Sequence, residues 1–205
     1  MTDWLALAKS NTSYLFDLIE KLVSIESPTR DKAANDEISS FTANLMRSIE
    51  GEVTVHPETE YGDHITINWP APDGSNHKQH AFIVGHLDTV WPHGTLKRMG
   101  YSERKGRLYG PGVLDMKAGI ATTIVGLQVL KRNNLWPNRP VKVLFNTDEE
   151  VGSPSSRPLV EHYAKGAAYA LIMEPGQGSN GALKTERKGL GEFRISVKGK
   201  ASHAG

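Results

Sequence analysis

The chain of 205 residues contains no cysteine, and this absence excludes several kinds of chemistry at once. Without thiols there are no disulfides, no thiolate metal ligands and no cysteine nucleophile. An excess of charge is also missing, since 24 basic and 23 acidic side chains leave a formal net charge of +1. Balanced charge argues against a nucleic-acid-binding or membrane-surface protein. With 38% hydrophobic and 23% charged residues, the composition is that of a globular protein.

Other common signals are missing as well. We find no apolar run that approaches the ~20 residues of a transmembrane helix. The amino terminus carries Asp3 and no cleavable signal pattern, so we expect a soluble, cytoplasmic protein. Gly85, Gly110 and Gly112 do not form a GxGxxG motif after a strand, which argues against a dinucleotide-binding fold. A serine hydrolase is set aside because the GxSxG motif is absent.

Apolar periodicity in the first third of the chain predicts helices followed by two strands. An amphipathic amino-terminal helix is expected to end at Ser27-Pro28, because the residue before proline disfavours helix. A second helix is predicted over residues 31–50. Alternating apolar and polar residues predict half-exposed strands at 52–56 and 64–69, before a polar surface loop at 70–79.

Three short, continuous apolar runs follow, at residues 80–85, 141–145 and 169–173. Such runs are typical of strands buried on both faces of a parallel sheet. Predicted helices from Asp115 to about Lys131 and over residues 154–165 separate them. The alternation of strand and helix predicts an α/β fold with a mostly parallel sheet flanked by helices.

The carboxyl-terminal residues have a different pattern. Residues 192–198 alternate between apolar and polar, which predicts a strand with one wet face. We interpret this strand as the start of a separate antiparallel element that the 205 residues do not complete.

Acidic and imidazole side chains follow every buried strand of the predicted sheet. They are His86, Asp88, Asp115, Glu149, Glu150 and Glu174. Ligands of open α/β sheets collect beyond the carboxyl ends of the strands. Converging carboxylates would repel one another unless a cation lay among them. Histidine with aspartate and glutamate is a ligand set that suits zinc, cobalt or manganese.

Each of these residues also has an ordinary structural explanation. Asp115 could be the N-cap of a helix, Glu149 and Glu150 a solvated turn, and Glu174 the start of a turn. Their coincidence at one edge of one sheet favours a metal site instead. Because Glu149 and Glu150 are adjacent and diverge, one can coordinate a metal while the other acts as a general base.

The spacing of His86 and Asp88 adds a detail to this site. Residues two apart on an extended backbone point to the same side. Asp88 can therefore accept the proton of the imidazole nitrogen that faces away from the metal.

Five segments resemble the metallopeptidase family of glutamate carboxypeptidase (carboxypeptidase G type), which includes acetylornithine deacetylase, succinyl-diaminopimelate desuccinylase and aminoacylase. The segments are GHLDTV (85–90), GPGVLDMKAG (110–119), TDEEVGS (147–153), MEPG (173–176) and KGKASHAG (198–205). They lie in the family's order, and the resemblance runs from about Tyr14 to the end. It implies an incomplete zinc-peptidase-like catalytic domain over 1–188 and the truncated start of an α+β lid or dimerisation domain over 189–205.

The resemblance also implies a role for each site residue in a dinuclear zinc centre. His86 and Glu174 resemble ligands of the first zinc, and Asp88 resembles the partner that orients His86. Asp115, followed by a peptide bond that is typically cis in the family, resembles the carboxylate that bridges two zincs. Glu150 resembles a ligand of the second zinc, Glu149 the general base, and His203 the lid histidine that reaches the active site of a partner subunit.

These roles describe a homodimeric amide hydrolase, a carboxypeptidase or a deacylase, that acts on a small peptide or an N-acyl amino acid. The chain departs from the family in Ala118, where glycine is common, and in lacking a late histidine ligand of the second zinc. The alternative interpretation is therefore a truncated, non-catalytic fragment that binds at most one metal ion through His86, Asp115 and Glu174, or that serves as an interaction module.

Overall fold

The computed structural model describes residues 2–74, 79–189, 191 and 193–203. They fall into two compact units, Met1–Pro175 and Gly176–Gly205. The helices are α1 (Trp4–Lys9), α2 (Thr12–Ser24), α3 (Lys32–Arg47), α4 (Thr95–Met99), α5 (Ala118–Arg132) and α6 (Arg157–Lys165). The strands are β1 (Glu52–His56), β2 (His64–Trp69), β3 (His80–His86), β4 (Ser102–Arg104), β5 (Arg107–Tyr109), β6 (Val141–Asn146) and β7 (Ala167–Ile172).

Five strands form one mixed sheet in the order β1-β2-β6-β3-β7, and β4 and β5 form a separate hairpin. Strands β6, β3 and β7 are parallel, as their apolar runs predict, whereas β1 and β2 pair in antiparallel fashion and β2 runs antiparallel to β6. The prediction that all three are buried on both faces is wrong for β7, because it lies at the edge of the sheet and its residues are partly or largely exposed. The predicted α/β class is confirmed. The sheet is mixed because the first two strands are joined by a short connection, which allows them to pair only in antiparallel fashion.

Helices α2, α3 and α5 bury their apolar faces in one core with the sheet. Side chains from these helices and from β6 are almost fully buried, among them Leu18, Leu22, Ile38, Ile120, Ile124 and Phe145. Each such side chain stabilises the fold by about 1.5–3 kcal/mol relative to an exposed position. This packing holds the ends of the central strands in place.

Two predicted helices differ clearly from the observed ones, and the helix predicted over 154–165 begins three residues later, at Arg157. The first predicted helix is two helices, and α1 buries no side chain. The helix predicted from Asp115 begins only at Ala118, because Asp115 has an extended backbone with φ −120° and ψ 99°. Asp115 is therefore not the N-cap of α5, and its side chain is available for another use. The peptide bond between Asp115 and Met116 is cis.

One stretch meets the length and composition of a membrane-spanning helix. It is Val113–Arg132, whose most apolar window has a mean hydropathy of 1.4 and is 56% buried inside the protein. No continuous apolar run marks this stretch in the sequence, because small and polar residues interrupt it. Its burial is that of a core helix, and α5 packs against α2 and β3.

The polar loop predicted at 70–79 has no regular helix or strand at residues 70–74 and 79, and residues 75–78 lie outside the described part of the chain.

In the second unit, the strand predicted over 192–198 is not formed by the described residues 193–198. Phe193, Ile195 and Val197 are 87–92% exposed. No described strand pairs with this stretch, and an unpaired strand has no stability of its own. Residue 192 lies outside the described residues. The domain boundary at residue 188 stays a prediction.

The chain does contain one GxGxxG motif, at Gly176–Gly181, and this motif follows β7. Gln177 and Ala182 pair across it in a tight turn, and no helix follows it among the described residues. The strand–turn–helix context that a dinucleotide-binding motif requires is therefore absent from the part of the chain that the structure describes.

Candidate metal centre

The topology of the sheet brings the predicted site residues to one edge. Strands β3 and β6 are parallel neighbours, and His86 pairs with Asn146 at their carboxyl ends. Strand β7 lies parallel on the other side of β3 and ends two residues before Glu174. Asp115 arrives from the kinked turn before α5. Three strand ends and one turn thus supply the side chains of the site.

His86 lies at the centre of the cluster and is 1% exposed. Its Nε2 atom lies 2.9 Å from Asp115 Oδ1, 3.5 Å from Glu174 Oε1 and 3.9 Å from Glu149 Oε2. Two groups of potential ligand atoms share this histidine, His86 with Glu149 and Glu174, and His86 with Asp115 and Glu150. Within each group the atoms lie within 4.8 Å of one another, a spacing that one metal ion can span.

Asp88 is fully buried and contacts three parts of the site. The His86 Nδ1–H donates to the backbone carbonyl oxygen of Asp88 at 2.9 Å, and the carboxylate of Asp88 lies 3.4 Å from the same nitrogen. The sequence predicts only the carboxylate contact. The backbone amides of Glu149 and Glu150 also donate to the Asp88 carboxylate, at 3.3 Å each.

The electrostatics of the cluster favour a cation. Burial disfavours the charged form of His86, but hydrogen bonds to Asp88 and Glu174 and the charge of Glu149 outweigh it and raise the pKa to about 11. Burial, together with surrounding carboxylates, also outweighs the opposing charge of His86 and raises the pKa of Glu149 and of Glu150. A bound cation would relieve the repulsion among these carboxylates.

A buried carboxylate beside the site escapes the sequence prediction. Asp148 accepts hydrogen bonds from the amides of Ser155 and Ser156, at 2.7 and 3.0 Å, and from their hydroxyls, at 2.9 and 2.6 Å. His64 Nε2 lies 2.9 Å from the hydroxyl of Ser155. The sole signal for this buried carboxylate in the sequence is the Ser155-Ser156 pair before α6. Backbone amides at the start of a helix have no partner within the helix and need an acceptor elsewhere. These bonds close the loop that carries Glu149.

The carboxylates that cluster around His86 are more exposed than the histidine itself. The side chains of Asp115, Glu149 and Glu174 are 57%, 47% and 26% exposed. Solvent therefore has access to the site. His203 lies in the second unit as an exposed residue, and its role stays a prediction.

The fold and the site together define a class, an α/β domain with a cluster of nitrogen and oxygen ligands at its strand ends. The chain belongs to peptidase family M20/M25/M40, which residues 82–198 match. The family resemblance read from the five segments is thereby confirmed.

Two curated relatives illustrate the likeness. Carboxypeptidase G2 of Pseudomonas sp. (strain RS-16) is 33% identical over 189 residues, which are 91% of this chain and 45% of the relative. Succinyl-diaminopimelate desuccinylase of Wolbachia sp. subsp. Brugia malayi (strain TRS) is 29% identical over 201 residues, 91% of this chain and 48% of the relative. The chain thus spans about half the length of the curated relatives it matches.

Solved structures share the fold at low sequence identity. Human carnosine dipeptidase 1 superposes with a TM-score of 0.67 at 18% identity, covering 80% of this chain and 39% of that one. An M20 family metallo-carboxypeptidase from Sulfolobus solfataricus superposes with a TM-score of 0.64 at 19% identity, covering 82% of this chain and 38% of that one.

Proposed function

We propose that this chain carries the metal centre of a dinuclear zinc-dependent hydrolase of amide bonds, of the carboxypeptidase or N-acyl amino acid deacylase type. The observation that carries the proposal is the position of His86 Nε2, within 2.9–3.9 Å of carboxylates from three separate segments of the chain. The names of the two curated relatives support both the peptidase and the deacylase type.

The donor set fits zinc, with cobalt or manganese as substitutes. One imidazole and several carboxylates are the ligands that these borderline ions accept. His86 and Glu174 would hold the first ion, Asp115 would bridge, and Glu150 would hold the second. A bound zinc pair polarises the scissile carbonyl and lowers the pKa of a bound water towards neutrality.

Glu149 is the residue we assign as general base. Its carboxylate lies at the open side of the site and makes its closest described approach to His86 at 3.9 Å. There it can take the proton of the attacking water and later return it to the leaving nitrogen. Asp88 holds His86 from behind and also accepts from the amide of Glu149, so it fixes the distance between the two.

The proposed substrate is a small peptide or an N-acyl amino acid. We further propose that the whole enzyme is a cytoplasmic homodimer in which His203 reaches the partner's site. The other candidate is a fragment that binds at most one metal ion without turnover. It is favoured by the observation that the chain spans about half the length of its relatives.

The test separates the base from the ligand. We expect Glu149→Gln to reduce turnover of N-acyl amino acids by about 10²–10⁴-fold, because a general base contributes that much, while zinc content stays unchanged. Glu150→Gln should instead lower zinc content towards one ion per chain. The measurements are zinc by mass spectrometry and release of glutamate or acetate, in this chain and in a protein of its relatives' length.

If Glu149→Gln loses zinc and keeps its activity per bound ion, the two roles are reversed. If both lengths of protein hold one zinc and neither turns over substrate, the non-catalytic candidate replaces the enzyme.

A further inference from the structure

We propose that Thr29 is a positioning residue of the metal centre. Its hydroxyl fixes the carboxylate of Asp88, which in turn aligns His86 and the backbone of Glu149 and Glu150. This inference rests on the metal centre proposed above, and it concerns a residue that no sequence motif marks.

The segment after α2 reaches the site by pairing with the chain that leaves β3. The Ser27 hydroxyl donates to the carbonyl oxygen of Leu87 at 2.7 Å, and the amide of Thr89 donates to the carbonyl oxygen of Ser27 at 2.8 Å. The amide of Thr29 donates to the carbonyl oxygen of Thr89 at 3.2 Å. Residues 27–29 therefore lie beside the turn that contains Asp88, and backbone bonds hold them there.

The Thr29 hydroxyl makes the shortest contact described for the Asp88 carboxylate. It donates to Asp88 Oδ2 at 2.8 Å, and the two residues are 6% and 0% exposed. The hydroxyl also lies 3.3 Å from the carbonyl oxygen of Thr89. Because an ionised acceptor at the shorter distance forms the stronger hydrogen bond, the proton goes to Asp88.

The other contacts of this carboxylate depend on its orientation. Asp88 Oδ1 lies 3.4 Å from His86 Nδ1 and accepts from the amide of Glu149 at 3.3 Å, while Oδ2 accepts from the amide of Glu150 at 3.3 Å. The terminal torsion of an aspartate is broad, so the side chain alone does not fix the plane of its carboxylate. The shorter hydrogen bond from the Thr29 hydroxyl therefore fixes the orientation of the Asp88 carboxylate.

The metal should respond to this bond because hydrogen-bonded partners of ligands tune metal affinity. Loss of such a partner typically costs about 10–100-fold in affinity or activity. Thr29 is one hydrogen bond further from the proposed metal ion than Asp88 is. Asp88, however, contacts both the shared histidine and the loop of the two glutamates. A misaligned Asp88 therefore affects both groups of potential ligands.

The experiment compares three variants of the full chain by zinc affinity, measured in competition with a chromophoric chelator. Thr29→Val keeps the shape and the backbone amide but removes the hydroxyl, and we expect zinc affinity to fall about 10-fold. Thr29→Ser keeps the hydroxyl and should bind zinc as the wild type does. Ser27→Ala is the matched control, because it removes a buried hydroxyl from the same segment without touching Asp88. It should lower the unfolding midpoint and leave zinc affinity unchanged.

The outcomes separate this inference from the proposed function. A wild-type chain that binds no zinc at His86 contradicts the metal centre itself. If the wild type binds zinc and Thr29→Val binds it equally well, Thr29 has no positioning role. Equal losses in Thr29→Val and Ser27→Ala would also overturn the inference, since the segment would then act through stability alone. Should Thr29→Val fail to fold, Thr29→Ala takes its place, and the absorption spectrum of bound cobalt reports the ligand geometry.

Discussion

The site contains two sets of polar side chains that differ in how the protein holds them. The inner set, His86, Asp88 and Asp148, is at most 1% exposed, and hydrogen bonds within the protein fix it. The outer set, Asp115, Glu149 and Glu174, has side chains that are 26–57% exposed. The comparison indicates that the two sets have different roles. We expect the inner set to keep its arrangement with or without metal, whereas the proposed ion would set the final arrangement of the outer set.

The largest effect on stability is expected in the inner set. Asp148→Asn places an amide NH₂ where the amides and hydroxyls of Ser155 and Ser156 donate to a carboxylate, so we expect the free energy of unfolding to fall by about 3 kcal/mol. Urea denaturation measures this loss. Glu60→Gln is the control, because Glu60 forms an exposed ion pair with Arg30 and its change should cost under about 1 kcal/mol. Equal losses in the two variants would contradict the distinction between the sets.

The difference in the free energy of unfolding between wild type and Asp148→Asn should depend on pH. Burial alone would raise the pKa of Asp148, but the hydrogen bonds from Ser156 and Ser155 outweigh it and hold the pKa below its ordinary value. A depressed pKa stabilises the folded state above the unfolded value of about 3.9, and this stabilisation is lost as the pH falls through the folded value. The gap between wild type and Asp148→Asn should therefore narrow below about pH 4.

A smaller effect on stability, with a large effect on metal, is expected in the outer set. Glu174→Gln should weaken zinc binding by more than about 10-fold, since it removes a charged ligand. Without metal it should change the free energy of unfolding by less than Asp148→Asn does, because the Glu174 side chain is 26% exposed and repulsion from the neighbouring carboxylates offsets its attraction to His86. Titration with zinc and urea denaturation of the metal-free protein check the two halves. A large loss of metal-free stability would place Glu174 in the inner set.

The sequence predicts the parts of this molecule that repeat or alternate. The bounds of β1 and β2 match the predicted residues 52–56 and 64–69. Strands β3 and β6 fall on two of the three apolar runs because buried strands need continuous apolar residues. The third run forms β7, an exposed strand at the edge of the sheet. His86 and Glu174 can be predicted as site residues because they directly follow such apolar runs.

What the sequence could not predict depends on contacts between distant residues. The hydrogen bond from Thr29 to Asp88 joins positions 59 residues apart, and no periodicity encodes it. The extended backbone at Asp115 lies within a stretch whose sequence pattern is that of a continuous helix. The pairing of β2 with β6 buries a strand that alternation predicts as half-exposed. In each case tertiary contacts override the local pattern.

The most direct test of the central claim is to locate zinc by anomalous diffraction from crystals of this chain grown with the ion. The account predicts an anomalous peak about 2.0–2.1 Å from His86 Nε2, with carboxylate oxygens of Asp115 and Glu174 at about 2.0–2.2 Å. Glu149 should be the nearby carboxylate that leaves its oxygens free. Zinc bound away from His86, or no peak at this edge of the sheet, would contradict the account.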